Sequence, residues 1–153
     1  ADGKKVFVVA HAIKNDSGKT IGIIGGAVHF SKLIKYVNHT KINGMGVGWI
    51  IDGEGKVIAH AKNKKYIGNL NLLSSSNKSF KGLENIGEEM INEQNENGSG
   101  VFMTPKGTEQ FIAYNQIPMT PGWSMAISMS QEELFAGVNT LFASIIIGAI
   151  IAI

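Results

Sequence analysis

Four histidines are the side chains here best suited to move protons or hold a metal: His11, His29, His39 and His60. No two of them have the short spacing of a metal-ligating pair, and none stands beside a nucleophile motif. Ser99 occurs in Gly98-Ser99-Gly100, without the strand-to-helix elbow that presents a hydrolase serine. The chain has no cysteine, which excludes thiol catalysis, thiolate zinc sites and disulfide staples. Asp52-Gly53-Glu54-Gly55-Lys56 places a lysine where a calcium loop needs a ligand oxygen, so it reads as a hairpin turn. Gly44-Met45-Gly46-Val47-Gly48 has the glycines of a phosphate loop, but it follows a predicted helix and precedes a strand, the wrong order for cradling phosphate. The expectation is a protein that is not an enzyme and carries neither metal nor cofactor.

What remains is binding chemistry. Trp49, Tyr114 and Trp123 fall in predicted strands, and His60 ends one beside a polar connection. Ligand pockets are mostly apolar with a few polar groups, so these four are the candidate ligand-binding residues. Plain core packing for the three aromatics, and a structural role for His60, are the other readings. All 14 basic side chains are lysine, which removes the guanidinium fork that grips a carboxylate or phosphate at two points. A net charge of +2 with scattered lysines gives no stripe for nucleic acid, and Lys62, Lys64 and Lys65 read as a solvated loop.

The elements that must position these residues follow from periodicity and turn chemistry. Two β-rich runs, 6–13 and 20–28, flank Asn15-Asp16-Ser17-Gly18 and predict a hairpin. Phe30, Leu33, Ile34 and Val37 have helical spacing, with Ser31 a candidate cap. A sharper hairpin joins 47–51 to 56–60, and residues 61–79 read as a long surface connection in which Tyr66, Ile67 and Leu70 dock. Leu83, Ile86, Met90 and Ile91 mark an amphipathic helix, stopped at 95–100; three strands follow, at 101–104, 109–117 and 123–129. The economical arrangement is α+β: a five-stranded antiparallel sheet with helices on one face. Phe7 and Phe111, Ile13 and Ile117, Gly18 and Gly122, Ile23 and Ile127 match at a common offset, a hint that residues 1–42 end an earlier copy of the same module.

Ser130-Gln131-Glu132-Glu133 forms a capping box and starts a final helix. From Leu141 to the end every residue is apolar or small, and no Lys or Arg follows Gly107. That run predicts a membrane helix, unfinished at roughly 20 Å of a core roughly 30 Å thick, entered from the non-cytoplasmic side. Everything before about Leu141 is then extracytoplasmic, and the chain reads as part of a larger membrane protein.

Gly22-Ile23-Ile24-Gly25-Gly26 leading to Phe30-Ser31-Lys32-Leu33, the stretch from Gly48 to His60, Tyr66-Ile67-Gly68-Asn69-Leu70, Tyr114-Asn115-Gln116-Ile117 and Gly122-Trp123-Ser124-Met125-Ala126-Ile127 together resemble double Cache sensor domains. These are the PAS-like tandem modules of bacterial methyl-accepting chemotaxis receptors and related membrane sensors. The resemblance implies three regions: the end of a membrane-distal module at 1–42, a complete membrane-proximal module at 43–130, and an exit helix running into the membrane at 131–153. It further implies a homodimer that binds a small molecule and signals through the membrane. Family members that bind amino acids carry an Asp on the strand matching 23–28, where this chain has Ala27. The same sensor driving a histidine kinase or diguanylate cyclase, and a non-sensing membrane-tethered scaffold, are the alternatives.

Overall fold

A computed structural model describes residues 6–42, 44–74, 79–92 and 94–135. The chain opens with an antiparallel ribbon of β1 (Val6–Lys14) and β2 (Thr20–His29), in which Phe7 faces Val28 across the pair. β2 runs directly into α1 (Phe30–His39). Its N-cap is His29, without a side-chain cap bond, so Ser31 lies inside the first turn and is not the cap.

A second sheet holds β3 (Val47–Ile51), β4 (Val57–His60), β5 (Asn97–Met103), β6 (Glu109–Gln116) and β7 (Ser124–Ser130), antiparallel throughout, in the order β4-β3-β7-β6-β5. α2 (Leu83–Ile91) connects its two hairpins. The five strands and their turns are where the sequence places them, except that β5 begins at Asn97, inside a stretch that reads as a helix stop. Glycine explains this. A Cβ at Gly98 would overlap the Tyr114 phenol, so the strand needs a residue without a side chain for β5 and β6 to pair there.

The helices do not share a face. α1 packs with Val37 on Ile50, Ile58 and Ala59, whereas α2 packs with Leu83, Ile86 and Met90 on Trp49, Ile51, Ile112 and Tyr114. The reason lies in β3, where Gly48, Trp49, Ile50 and Ile51 are all buried: a continuous apolar run belongs to a strand covered on both sides. The connection after β4 also contributes more than docking. Val57 N–H donates to Leu70 O and Leu72 N–H to Gly55 O, which buries Leu72 among the core residues.

At the end of β7 the capping box forms as its residues require. The Glu133 N–H donates to Ser130 Oγ at 3.2 Å and the Ser130 N–H donates to Glu133 Oε2 at 2.9 Å. Helix follows through residue 135. Among the described residues no helix is long and apolar enough to cross a membrane. The apolar run at 141–153, expected to be a membrane helix, lies outside the described residues.

Candidate functional site

Strand register puts three of the four candidate residues in one row. His60 pairs with Trp49, Trp49 with Ala126, Ala126 with Tyr114, and Tyr114 with Gly98, so the row crosses all five strands on the face that carries α2. Trp123 lies on the opposite face. There its indole meets Phe7 edge-on at 5.1 Å, and Phe7 in turn meets Phe30 at 5.7 Å, so Trp123 joins the ribbon to the five-stranded sheet.

Toward the end of β7, on the face of the His60 row, the sheet floor changes character. The next positions are Val47, Ser128, Ile112 and Gly100, then Ser130, Gln110 and Phe102. β7 is the central strand, and its inward residues here, Ala126, Ser128 and Ser130, are small. Larger side chains would fill this layer; small ones leave a cavity of about 750 Å³. Its floor is Val47, Ser128, Ser130, Gln110 and Phe102, its aromatic wall His60, Tyr66 and Phe80, and its rim Lys62, Asn63, the β5–β6 turn with Thr104, Lys106 and Thr108, and Glu132 and Glu133.

Of the candidates only His60 lines this cavity. Its Nδ1 accepts from the backbone N–H groups of Asn63, at 2.9 Å, and Lys62, at 3.2 Å, which places the proton of the neutral ring on Nε2. Burial lowers its pKa from the usual 6.5 to about 4. The ring stacks on Trp49 at 6.3 Å and meets Tyr66 edge-on at 5.2 Å. Trp49 is only 4% exposed, and its Nε1 is a buried side-chain donor without a hydrogen-bond partner among the described residues. Tyr114 sits under α2, where its hydroxyl donates to Glu89 Oε2 at 3.1 Å; burial and that carboxylate raise its pKa. Trp49 and Tyr114 are thus core residues on that face of the sheet, and Tyr66, Phe80, Phe102, Gln110, Ser128 and Ser130 line the cavity.

One signal for that lining is present in the sequence. Ser124-Met125-Ala126-Ile127-Ser128-Met129-Ser130 alternates small with large residues, the pattern of a strand with one recessed face. Phe80 and Phe102 carry no comparable signal, because their meeting depends on how the connection before α2 folds back. The rings nonetheless touch, at 6.4 Å.

The cavity and the helix capped at Ser130 share residues. Ser130 and Glu133 both line the cavity and form the cap, so an occupant is in reach of the bonds that start the helix. A cleft of this size and mixed polar and apolar lining has room for a small molecule.

The family model described as Cache domain matches residues 1–138. The methyl-accepting chemotaxis protein PctB of Pseudomonas aeruginosa is 22% identical over 139 residues, which is 89% of this chain and 20% of PctB. Among solved structures, the extracellular domain of mmHK1S-Z3, described as a histidine kinase, has a TM-score of 0.72 at 20% identity, covering 92% of this chain and 49% of that one. The periplasmic sensory domain of the Campylobacter jejuni chemoreceptor Tlp1 has a TM-score of 0.61 at 20% identity, covering 86% and 45%. The chain therefore spans a fifth of its curated relative and about half of each of these structures, whose likeness is one of fold. With the five-stranded sheet, its flanking helices and a match over residues 1–138, the chain belongs to the Cache domain family.

Proposed function

We propose that the chain is the extracytoplasmic ligand-sensing region of a bacterial transmembrane chemoreceptor, working as a homodimer, in which a small solute occupies the cavity above β7. The observation that carries this reading is the sharing of Ser130 and Glu133 between the cavity wall and the cap of the exit helix. Filling the cavity changes the surroundings of the cap directly, and a shift of an ångström or two in β7 reaches the helix without any intervening loop. Signalling on this reading is mechanical, and the sensor itself performs no reaction. Kinship with PctB, a chemotaxis protein, supports the placement in a cell membrane.

On the same reading, residues 1–42 are the tail of a membrane-distal module, 43–130 the membrane-proximal one, and 131–153 the exit helix entering the membrane. The ribbon supports this division. It has only two strands and leaves Val8 69% and Ile23 73% exposed, too little cover for an independent sheet. A sensor that drives a histidine kinase is the second reading, favoured by the fold of mmHK1S-Z3.

The test is a full-length receptor carrying Gln131-Glu132→Gly-Gly, which loosens the helix just after its cap. Ligand binding is expected to survive, weakened no more than severalfold by the loss of the Glu132 carboxylate at the cavity rim, and output to be lost, read as kinase control or swimming bias. A variant that signals normally overturns the proposal.

A further inference from the structure

The lysines are scattered along the sequence, and the fold gathers them. β3 starts, β4 and β5 finish and β6 starts at the end of the sheet where β7 leaves it, as the pairs Val47–Ser128, Trp49–His60, Met103–Glu109 and Gln110–Ser130 require. The connections at that end carry Lys41 before β3, Lys62, Lys64 and Lys65 after β4, Lys81 in a bridge to Met103, and Lys106 in the β5–β6 turn. These are six of the eleven described lysines, and all six are exposed. Lys41 and Lys62 share one cleft with Glu133, and Lys62 and Lys106 share another.

Carboxylates at the same end are fewer: Glu84 at the start of α2, Glu109, Glu132 and Glu133. None of the six lysines forms an ion pair among the described residues. The opposite end has the reverse balance. There the β3–β4 turn, the second half of α2 and the residue before β5 carry Asp52, Glu54, Glu88, Glu89 and Glu96 against Lys56. The domain is thus electrically polar along its strands, positive where the capped helix leaves. Leu134 and Phe135, the first apolar side chains beyond the cap, are exposed at that end as well.

A positive end can meet a soluble anion or an anionic surface. A soluble anion needs donors that converge on it, whereas this chain has no arginine and spreads these lysines over four separate segments. A layer of phosphates matches that spread. On the membrane placement proposed above, ten residues separate Ser130 from the apolar run at Leu141, about 15 Å as a helix. The headgroup layer takes up about 6 Å of that distance, and the remainder is comparable to the screening length of about 10 Å in 0.1 M salt.

We propose that the lysine-bearing end of the sheet is a docking surface for anionic lipid headgroups, an inference that rests on that membrane placement. With this end held at the bilayer, a shift in β7 displaces the helix relative to the membrane and does not simply carry the whole domain with it.

The test places the full 153-residue chain in nanodiscs of phosphatidylcholine, or of phosphatidylcholine with phosphatidylglycerol, and follows acetylation of each lysine by a neutral amine reagent in mass spectra. The six lysines should react about fivefold more slowly in the anionic discs, the factor expected from the pull of an anionic surface on one lysine. Lys32 and Lys56, toward the other end, should react alike in both, and high salt should erase the difference. Combining Lys62→Gln, Lys64→Gln and Lys65→Gln, all at exposed positions, should return Lys41 and Lys106 toward their rates in neutral discs. If inorganic phosphate in detergent slows the same lysines as strongly, the surface takes a soluble anion and the lipid assignment falls. Equal rates in the two kinds of disc, slowing shared by Lys32 and Lys56, or no effect of the triple change also overturn it, while the membrane placement stands as long as the chain co-elutes with neutral discs. A chain that stays out of neutral discs overturns both.

Discussion

His60 folds as a neutral ring, and this ties stability to pH in a definite direction. Its folded pKa, about 4, lies below the unfolded value of 6.5, so between those values the unfolded chain binds a proton that the native state refuses. The contribution is complete above pH 6.5 and is lost as pH falls toward 4, an effect of about 1–2 kcal/mol once solvent screening is allowed for. His60→Asn keeps an acceptor for the Lys62 and Asn63 N–H groups and removes the titration. Urea midpoints at pH 7 and pH 5 should therefore differ less in the variant than in the parent; an equal difference would assign the pH effect to other groups. At the far end of the same row, Tyr114→Phe should cost about 1 kcal/mol through the lost bond to Glu89. Gly98→Ala should cost more, roughly 1–3 kcal/mol, because the new methyl overlaps the phenol and one strand must move. Denaturant unfolding of the two variants side by side checks the order.

Elements meet as closely as residues do. A Cβ at Gly48 would overlap the carbonyl oxygen of Val37, so α1 rests on β3 at a distance only glycine allows. Gly48→Ala should lift the helix and destabilise the chain by roughly 1–3 kcal/mol, measurable as a lower denaturation midpoint and a changed Trp123 emission. At the other helix, Ser130→Ala removes the side-chain half of the cap and should cost about 1 kcal/mol of helix stability. Elements of this kind were the most legible part of the sequence: Asp52-Gly53-Glu54-Gly55 and Ser130 to Glu133 each fix a local geometry by themselves. The two-sided burial of β3 was also written in its unbroken apolar run, although the rule of one apolar face per sheet argued against it. Of the cavity only the small residues of β7 were legible, because Tyr66, Phe80 and Phe102 come to it from three separate segments. Trp49 and Tyr114 looked like binding residues for the property that makes them core, a large ring on a strand.

At the scale of the molecule, Phe7 of the ribbon meets Trp123, just before β7, and Phe30 at the start of α1. The buried residues of one core cluster come from α2, the five strands and the β4–α2 connection, those of the other from α1, β3 and β4, and no residue of β1 or β2 is in either. A chain starting at Phe30 is therefore expected to keep a cooperative unfolding transition and the near-ultraviolet signature of Trp49, with Trp123 more exposed to quenchers. Loss of cooperativity would mean that the ribbon is integral to the fold.

The strand order has one more consequence, for biosynthesis. β7 is the last made of the described strands, yet it lies in the middle, between β3 and β6. As the chain emerges from its N-terminus, the β3–β4 and β5–β6 hairpins can form, but nothing joins them until the final strand arrives. Until then β3 and β6 each present an open edge, the form in which sheets mispair with neighbouring chains. The segment that closes the sheet is continuous with the helix capped at Ser130, so the inner edges of β3 and β6 are hidden only once synthesis has passed β7.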